Sequence, residues 1–470
     1  MKIDSIDVEA SINNARELIN SEPDLSPALR SSMEVLLLVI TLLFNRATLN
    51  SKNSSKPPSS DPNRKKSSRV KSGKPSGGQS GHVGKTLQKI DDPDDIEILS
   101  IDRRTLPKGK YHQLGFETRQ VFDIDISRIV TEYQAEVLEN AQGQRFVAEF
   151  PEGVTKAVQY GNQIKAHAVY LSQFQLLPYN RIQAYFADQC QIPISEGTLF
   201  NFNLQAFKHL TDFEQLSKDQ LAHASVAHAD ETGININGKR HWLHCASNES
   251  WTHFYPHQKR GTEAMNEIGI LPRYQGILCH DHWKPYYRYD FMHALCNAHH
   301  LRELECAWEQ DLQSWAKEMQ QLLKTINQAV DDAGGSLTKK EAALYRQQYR
   351  DCLKQAGIEC PPPDIPPGKA KRGRIKRSKS RNLLERLSNY EEDVLRFMEN
   401  PLVPFTNNRG ENDIRMTKVQ QKISGCFRSE EGAKIFCRVR GYLSTCRKQK
   451  INASQALRLV FEGKLPAFIQ

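Results

Sequence analysis

The stretch Val226-Ala227-His228-Ala229-Asp230-Glu231-Thr232-Gly233 lies near the middle of a chain of 470 residues. Small and apolar residues lead to an acid, which is typical of a buried strand that ends in a polar group. A second short apolar run follows and reaches Asn237-Gly238, the dipeptide that best supports the positive φ angles of a type I′ hairpin turn. The stretch therefore predicts a central strand that ends at Asp230 and holds a metal-binding carboxylate.

The segments after this turn predict the rest of a sheet. Residues 241–246 and 251–255 have the composition of two further strands, and residues 262–268 have a helical pattern. Residues 276–281 form a second buried strand that ends in an acid, Asp281. Three antiparallel strands, a crossover helix and a parallel strand are the opening of a ribonuclease-H-like α/β fold.

Changes in composition predict the domain organisation around this sheet. Helical patterns from 291 to 357 and from 383 to 400, broken by prolines at 361–367, predict a long helical stretch after the predicted sheet. Alternating runs such as 120–126 and 145–150 predict a small antiparallel unit before it. The predicted parts are a helical N-terminus at 1–50, a basic Ser/Pro/Gly-rich linker at 51–92, a small β unit at 93–155, a helical DNA-contact region at 156–220, a ribonuclease-H-like catalytic domain at 221–425 with its insertion at about 291–400, and C-terminal helices at 426–470.

The overall composition is that of a soluble globular protein with an acidic partner. Hydrophobic residues make up 39% of the chain, the formal net charge is +9 and the pI is about 8.9. All ten cysteines lie at or after Cys190 without a CxxC pair, which fits free thiols in a reducing cytoplasm. The acidic start of the chain does not have the pattern of a secretory leader.

An apolar run at 35–44 is the candidate membrane segment of the sequence. It holds about half of the roughly 20 residues that are needed to span a bilayer. We therefore expect a buried or partner-contacting helix and no membrane association. Two interpretations stay open, namely self-association into a homo-oligomer and packing on the body of the same chain.

Positive charge is concentrated at 52–85 and 369–381, and clustered cations are the usual footprint of a polyanion site. The first segment is too polar to bury a core, so it is either a phosphate-binding linker or a plain solvated one. The second predicts a mobile arm that contacts DNA phosphates. The Gly-Lys-Thr at 84–86 does not complete a phosphate-binding loop, because Gln79 stands at its first glycine position. The candidate DNA contacts are Arg64, Lys65, Lys66, Lys371, Arg372, Arg374, Lys376 and Arg377.

Residues 161–199 predict helices that are joined by short turns. A turn at 193–197 feeds one helix into the next. This pattern is shared by a helix-turn-helix DNA reader and by a simple helical bundle, and both interpretations stay open.

Three acids have the placement that metal-dependent phosphodiester chemistry requires: Asp230, Asp281 and Glu411. Carboxylate oxygens are hard ligands that suit Mg²⁺ or Mn²⁺, and two such ions about 4 Å apart can activate a hydroxyl and stabilise a leaving oxygen. A single acid at a strand end is usually just solvated, so spacing alone leaves rivals open. The rival acids are Glu231, Asp290, Glu303 and Glu305.

A second cluster, Cys296-Asn297-Ala298-His299-His300, holds a thiol and two imidazoles. A structural zinc site needs four ligands, and no matching pair stands out in the sequence. Helix packing is the alternative to metal binding. A cysteine protease pairing would need an oxyanion hole and an orienting group, and nothing in the sequence indicates either.

Five motifs resemble a known family. They are 53–61 (NSSKPPSSD), 77–86 (GGQSGHVGKT), 193–199 (PISEGTL), 228–232 (HADET) and 407–412 (NNRGEN). In this order, over residues of about 30 to 465, they resemble the bacterial insertion-sequence transposases of family sixty-six. The resemblance implies a DDE transposase, a Mg²⁺-dependent recombinase that cleaves DNA at transposon ends and joins the freed 3′ hydroxyl to target DNA.

Carried over by motif, the resemblance makes Asp230 the first acid and Glu411 the third. Asp281 is the middle acid, although the family usually has Asp-Gly-Tyr where this chain has Asp281-His282-Trp283. Arg409 and Arg415, near Glu411, are candidate phosphate contacts, with surface solvation as the alternative. Relatives usually have a cysteine-rich zinc unit after the glycine-rich segment, but residues 86–160 contain no cysteine, so no zinc site is carried over there.

The partners implied are double-stranded DNA, a second copy of the chain on that DNA, and accessory proteins encoded by the element. Two competing hypotheses stay open beside the transposase. One is a catalytically inactive DNA-binding regulator, and the presence of all three acids argues against it. The other is a nuclease on the same fold that cleaves without joining strands.

Overall fold

The computed structural model describes residues 2–3, 6–54, 61, 87–363 and 377–469. Two short strands, β1 (Lys2–Ile3) and β2 (Ile6–Asp7), precede helices α1 (Val8–Ser21) and α2 (Pro27–Ala47). Pro23 lies in the segment that separates the two helices, and Pro27 is the first residue of α2. α2 begins at a Ser26 cap, with the proline in the first turn where its missing N–H costs nothing.

Helix α2 is longer than the apolar run predicted. It has 21 residues, none of them buried, and by length and composition it could cross a membrane. One helix of this length is weak evidence for a membrane protein, so the expectation of no membrane association stands, whereas the expectation of a buried helix was wrong. Apolar helices of this kind also occur as core elements and as contact surfaces of soluble proteins.

The predicted β unit is reduced to a hairpin in the structure. Its strands are β3 (Val137–Glu139) and β4 (Arg145–Val147), and every residue in them is exposed. Residues 120–126, predicted as a strand, are irregular. The runs alternate in sequence, but apolar side chains such as Leu114 and Val121 lie exposed, so there is no packed face within 94–150 to hold further strands together.

Four helices precede the central sheet: α3 (Asn162–Val169), α4 (Tyr179–Cys190), α5 (Glu196–His209) and α6 (Thr211–Ala222). The five residues after α3 form a π-helical turn, Tyr170–Phe174. The Ser195 side chain caps α5 by accepting a hydrogen bond from the N–H of Thr198. The helices that the sequence predicted here are therefore present.

The central sheet has five strands: β5 (Val226–Ile236), β6 (Lys239–Ser247), β7 (Thr252–His257), β8 (Ile277–His280) and β9 (Met292–Leu295). Their order is β7-β6-β5-β8-β9, in which β5, β6 and β7 are antiparallel and β8 and β9 run parallel to β5. Helix α7 (Thr262–Ile268) provides the crossover between β7 and β8. The predicted hairpin is confirmed, since Asn237 and Gly238 both have positive φ.

Two predictions about this sheet were wrong. Asp230 does not end its strand, because β5 continues as one strand to Ile236. The acid and the polar residues after it resemble a strand end in sequence, whereas hydrogen bonding to β6 keeps them in the sheet. Strand β9 was assigned to a helix that begins at 291, because an apolar run of four residues has no period that separates strand from helix.

The insertion between β9 and the third acid is helical, as predicted. It comprises α8 (Asn297–Asp311), α9 (Ser314–Asp332), α10 (Lys339–Glu359), α11 (Lys379–Asn389) and α12 (Glu391–Leu395). These helices share one hydrophobic core with β8 and β9. The chain ends with α13 (Asn408–Ser424), α14 (Glu430–Lys448) and α15 (Ala453–Phe461).

The helices before and after the sheet pack on each other. α3 to α6 share a core with α14 and α15, and fully buried residues such as Phe213 and Tyr442 lie in it. α14 lies against β7, and α13 lies against β5 and β6. The sheet is thus held between the helical bundle and the insertion, with α13 crossing its middle.

Candidate active site

Strand β5 places Asp230 in the middle of the sheet. Its side chain is half-buried, and its Oδ1 accepts a hydrogen bond from the backbone N–H of Glu231 at 2.9 Å. β5 pairs with β8 only from Val226 to His228. Asp230 therefore lies just beyond the end of the parallel pairing, at the edge where the chain leaves β8.

Asp281 is the first residue after β8 and reaches the same edge. Its Oδ1 accepts a hydrogen bond from the N–H of Trp283 at 3.1 Å, which fixes the turn. His282 has a φ of 67°, a conformation that favours glycine. His282 therefore adopts, with a side chain, a backbone conformation that a glycine reaches without strain.

Asn407 joins helix α13 to strand β5. Its Nδ2 donates to the carbonyl of Ala229 at 2.9 Å, and its Oδ1 lies 2.7 Å from Nδ1 of His228. Its own N–H donates to Sγ of Cys296 at 3.1 Å. The side chain of Asn407 does not cap α13. It fixes the helix to the strand that carries Asp230.

Gly410 allows α13 to approach the strand closely. A Cβ atom at this position would lie 3.2 Å from Oδ1 of Asn407 and 3.5 Å from Cβ of His228. The backbone of the next residue, Glu411, is thereby brought to the sheet one turn into the helix. The contact between α13 and β5 explains the motif 407–412. Asn407 donates a hydrogen bond to the strand, Gly410 lets the helix approach it, and Glu411 follows directly.

Asp281 and Glu411 lie near enough to Asp230 for their charges to act on its carboxyl group. Burial raises the pKa of Asp230 well above its usual value, and the negative charges of Glu231, Asp281 and Glu411 raise it further. Asp281 follows strand β8 and Glu411 lies on helix α13. Their charges raise the pKa of Asp230 because the fold brings residues that are far apart in sequence near its carboxyl group. Such a cluster is destabilised by its own repulsion, which a divalent cation would relieve.

Glu231, a rival acid, has other partners. Its Oε1 accepts hydrogen bonds from Arg260, and its Oε2 accepts one from the hydroxyl of Tyr286 at 2.6 Å. The Arg260 guanidinium lies between the rings of Trp242 and Trp283, 4.8 and 4.2 Å from their centroids. Glu231 is thus part of an ion-pair network that supports the strand.

The other rival acids are also engaged or exposed. Glu303 pairs with Arg386, and Glu305 accepts a hydrogen bond from Gln320 at 2.6 Å. Asp290 is exposed on the loop before β9. Glu303 and Glu305 are therefore engaged elsewhere, and the choice of Asp230, Asp281 and Glu411 among the acids of the site stays a prediction.

Two residues of the thiol and imidazole cluster lie at this centre. Nδ1 of His299 is 3.8 Å and Sγ of Cys296 is 3.9 Å from Oε1 of Glu411, and the three donor atoms lie within 4.8 Å of one another. His300 instead faces Asn297, with Nδ1 at 3.0 Å from the amide oxygen. The Cys-x-x-His spacing at the start of α8 was visible in the sequence, but its relation to Glu411 was not.

The predicted DNA contacts have different outcomes. The structure describes Arg377, which pairs with Glu385, and Arg409, which pairs with Glu249 at 3.1 Å. Arg415 is exposed on α13. The other predicted contacts lie outside the described residues: Arg64, Lys65, Lys66, Lys371, Arg372, Arg374 and Lys376.

Sequence reasoning missed two cations beside Asp230. Lys418, two turns after Glu411 on α13, donates to the carbonyl of Gly233 at 3.2 Å. The Arg240 guanidinium lies across Gly233, where a Cβ atom would be 1.9 Å from its Nη2. The glycine at the end of the opening stretch therefore provides space for this side chain, and the spacing of Lys418 from Glu411 is the signal that could have identified it.

The fold and the site are those of an α/β protein with carboxylates on a central sheet and on the helix that crosses it. Carboxylate oxygens are suitable ligands for a hard divalent cation. The profile described as "Transposase IS66 family" matches residues 157–435. This span covers more than half of the chain and includes all three acids. The chain belongs to the IS66 family of transposases, and the resemblance inferred from its motifs is confirmed.

Two further similarities concern parts of the chain. Residues 4–88 match a family of unknown function (DUF6444). An uncharacterized protein, y4jO of Sinorhizobium fredii (strain NBRC 101917 / NGR234), is 36% identical over 66 residues, which make up 14% of this chain and 21% of that protein. Because the chain spans only about a fifth of this curated relative, the likeness carries no statement about activity.

Proposed function

We propose that the protein is a DDE transposase that cleaves DNA at transposon ends and joins the freed 3′ hydroxyl to target DNA. Membership of the IS66 family supports a DNA-processing enzyme of the cytoplasm. The observation that carries the finer proposal is that Asp281 and Glu411 lie near enough to Asp230 for their charges to act on its carboxyl group.

The sheet topology supports a ribonuclease-H-like fold for the catalytic domain. Three antiparallel strands are followed by two strands that run parallel to the first, in the order β7-β6-β5-β8-β9. The first acid lies on the first of these strands and the second follows the fourth. The third lies on a helix across the sheet, after the helical insertion.

Asp230, Asp281 and Glu411 fit two Mg²⁺ or Mn²⁺ ions. Their oxygens are hard donors, and the pKa of Asp230 is raised by burial and then by the charges of Glu231, Asp281 and Glu411, a repulsion that a bound cation would relieve. When bound, the ions would supply activation of a water or 3′ hydroxyl and stabilisation of the departing oxygen. The chain itself places Glu411 against strand β5 through Asn407 and Gly410.

Double-stranded DNA is the expected substrate, and the excess of cations favours its approach. We further propose that two copies act together on DNA and that the exposed face of α2 joins them. We also propose that accessory proteins encoded by the element take part in transposition.

The experiment is a nicking and strand-joining assay on DNA from the ends of the element, with Mg²⁺. We expect both cleaved and joined products from the wild type. An inactive regulator would bind the same DNA and cut it in no divalent cation, whereas a nuclease would give cleaved DNA without joined product. Either result would replace the proposal.

A further inference from the structure

A cavity of about 360 Å³ lies beside the carboxylate centre. Helices α8 and α11 form its walls, and the segment after α2 forms its rim through Leu49, Asn53 and Ser54. We call this cavity the α8–α11 pocket. It is open to solvent on one side and contains a mixture of polar and apolar side chains.

The α8–α11 pocket is lined by three cations, Arg302, Lys379 and Arg386, and by two acids that have partners of their own, Glu303 with Arg386 and Asp311 with Ser380. Arg386 pairs with Glu303, but the side chain of Arg302 has no hydrogen-bond or ion-pair partner among the described residues. The Nε atoms of Arg302 and Arg386 are both buried and unpaired within that part of the chain. Buried donors are almost always satisfied, so unpaired guanidinium nitrogens at a cavity indicate a missing anion.

His299 connects the α8–α11 pocket to the active site. Its ring lines the pocket, and its Nδ1 lies 3.8 Å from Oε1 of Glu411. The pKa of His299 is lowered by burial and then by Arg302, while Glu411 and Asp281 act in the opposite direction. The imidazole therefore lies between a positive pocket and a negative, metal-binding centre.

The N-terminal segment is fixed against the insertion at this place. Nδ2 of Asn53 donates to Oε2 of Glu309 at 2.7 Å, and Nε2 of Gln310 donates to the carbonyl of Asn45 at 2.9 Å. Asn53 is almost fully buried. These contacts hold the rim in place, so the pocket has a defined shape on three sides.

We propose that the α8–α11 pocket binds a backbone phosphate of the DNA strand, next to the phosphodiester that is cut at the carboxylate centre. A guanidinium group presents a planar pair of donors that matches two phosphate oxygens. A DNA strand carries a phosphate at every nucleotide. Metal ions at the carboxylate centre would bind one phosphate, and the arginines of the pocket would bind the next phosphate along the same strand. The inference rests on the proposed function and names a contact of its substrate.

The test uses the full chain with Asp230→Asn, which prevents cleavage, and adds Arg302→Gln, Arg302→Lys or the control Lys340→Gln. Lys340 is exposed at the start of α10, outside the pocket. Binding of a fluorescein-labelled duplex from the end of the element is measured by anisotropy over a series of salt concentrations. We expect Arg302→Gln to weaken binding about 10-fold and to reduce the slope of log K against log salt by about 1.

Arg302→Lys keeps the charge without the planar fork, so we expect it to restore the salt slope and only part of the affinity. Equal affinities and slopes for Arg302→Gln and Lys340→Gln would overturn the inference. If inorganic phosphate raises the unfolding midpoint of the wild type while Arg302→Gln leaves DNA affinity unchanged, the pocket binds free phosphate and the proposal is also overturned. The proposed function fails separately, if the Asp230→Asn parent cuts DNA.

Discussion

At the scale of single residues, His282 shows that a residue with a side chain can occupy a backbone conformation that favours glycine. Its φ of 67° lies in the region where a side chain costs about 1 kcal/mol relative to glycine. Its ring repays part of that cost by contacts with Tyr390 and Tyr287, at 4.4 and 5.3 Å between centroids. The turn after Asp281 is therefore held in the conformation that a glycine would adopt without strain.

We expect His282→Gly to be more stable than His282→Ala by about 1 kcal/mol, because both lose the ring and only alanine keeps a Cβ at positive φ. The measurement is the free energy of unfolding from urea denaturation of the two variants. If alanine were equal or better, His282 would not adopt the left-handed conformation.

His253 provides a pH prediction away from the active site. It is buried on β7, with Nδ1 3.4 Å from Oγ of Ser217 and Nε2 unpaired among the described residues. Burial, with Lys218 and Arg438 nearby, lowers its pKa from 6.5 to about 3. Between about pH 3 and pH 6.5 the His253 imidazole therefore binds a proton more readily in the unfolded chain than in the folded protein. The free energy of unfolding consequently decreases as the pH falls below about 6.5.

We expect His253→Phe to reduce this loss. Between pH 7 and pH 5 the free energy of unfolding of the wild type should fall more steeply than that of the variant, by up to about 1 kcal/mol per pH unit. Thermal unfolding at a series of pH values gives the comparison. Parallel curves would show that His253 is not buried in its neutral form.

At the scale of elements, the joint between α13 and β5 sets the position of Glu411. Asn407 bonds to the strand, and Gly410 leaves no room for a side chain between them. A methyl group at 410 would have to push the helix away by a few tenths of an ångström. The geometry of the third acid thus depends on a residue that takes no part in the chemistry.

We expect Gly410→Ala to lower the cleavage rate about 10-fold at limiting Mg²⁺, with less effect at saturating Mg²⁺. Stability should change little, since alanine gains about 1 kcal/mol in a helix interior and the contact costs a similar amount. Cleavage rates over a Mg²⁺ series report the effect, with Gly432→Ala at the start of α14 as control. Equal Mg²⁺ dependence in the two variants would contradict this role.

The elements themselves differ in how well the sequence predicts them. The hairpin at Asn237-Gly238 and helix α7 were predicted correctly because their signals are local. Strand β9 and the continuation of β5 past Asp230 depend on pairing with distant strands, which no local pattern contains. The motif 407–412 predicted the third acid, Glu411. The hydrogen bond from Asn407 to β5 could not be predicted, because it joins residues that are distant in sequence.

At the scale of the whole molecule, the sequence predicted four of the five strands of the central sheet and the helical character of the segment after it, and it missed the contacts between distant segments. The roles of the three acids stay predictions. Arg302, Arg386 and the rim at Asn53 form one pocket from three parts of the chain. The predicted β unit failed for the opposite reason, because a suitable local pattern at 120–126 had nothing to pack against.

Helix α2 carries several exposed apolar side chains, among them Leu36 and Leu43, each more than half exposed. Leu29, Met33, Leu36, Ile40 and Leu43 follow the alternating spacing of three and four residues that a paired helix requires. We expect the wild type to be a dimer and a Leu36→Lys, Leu43→Lys variant to be a monomer by light scattering. Lys52→Gln, beyond the helix, serves as control. A monomeric wild type would contradict the role of α2.

The central claim is that Asp230, Asp281 and Glu411 form one catalytic centre, and Asp281 tests it best because its neighbours depart from the family motif. The measurement is the rate of DNA end cleavage with Mg²⁺ for Asp230→Asn, Asp281→Asn, Glu411→Gln and the exposed control Asp290→Asn. We predict a loss of at least about 100-fold in each of the first three and a near wild-type rate in the control. Full activity in Asp281→Asn, or a matching loss in Asp290→Asn, would contradict the account.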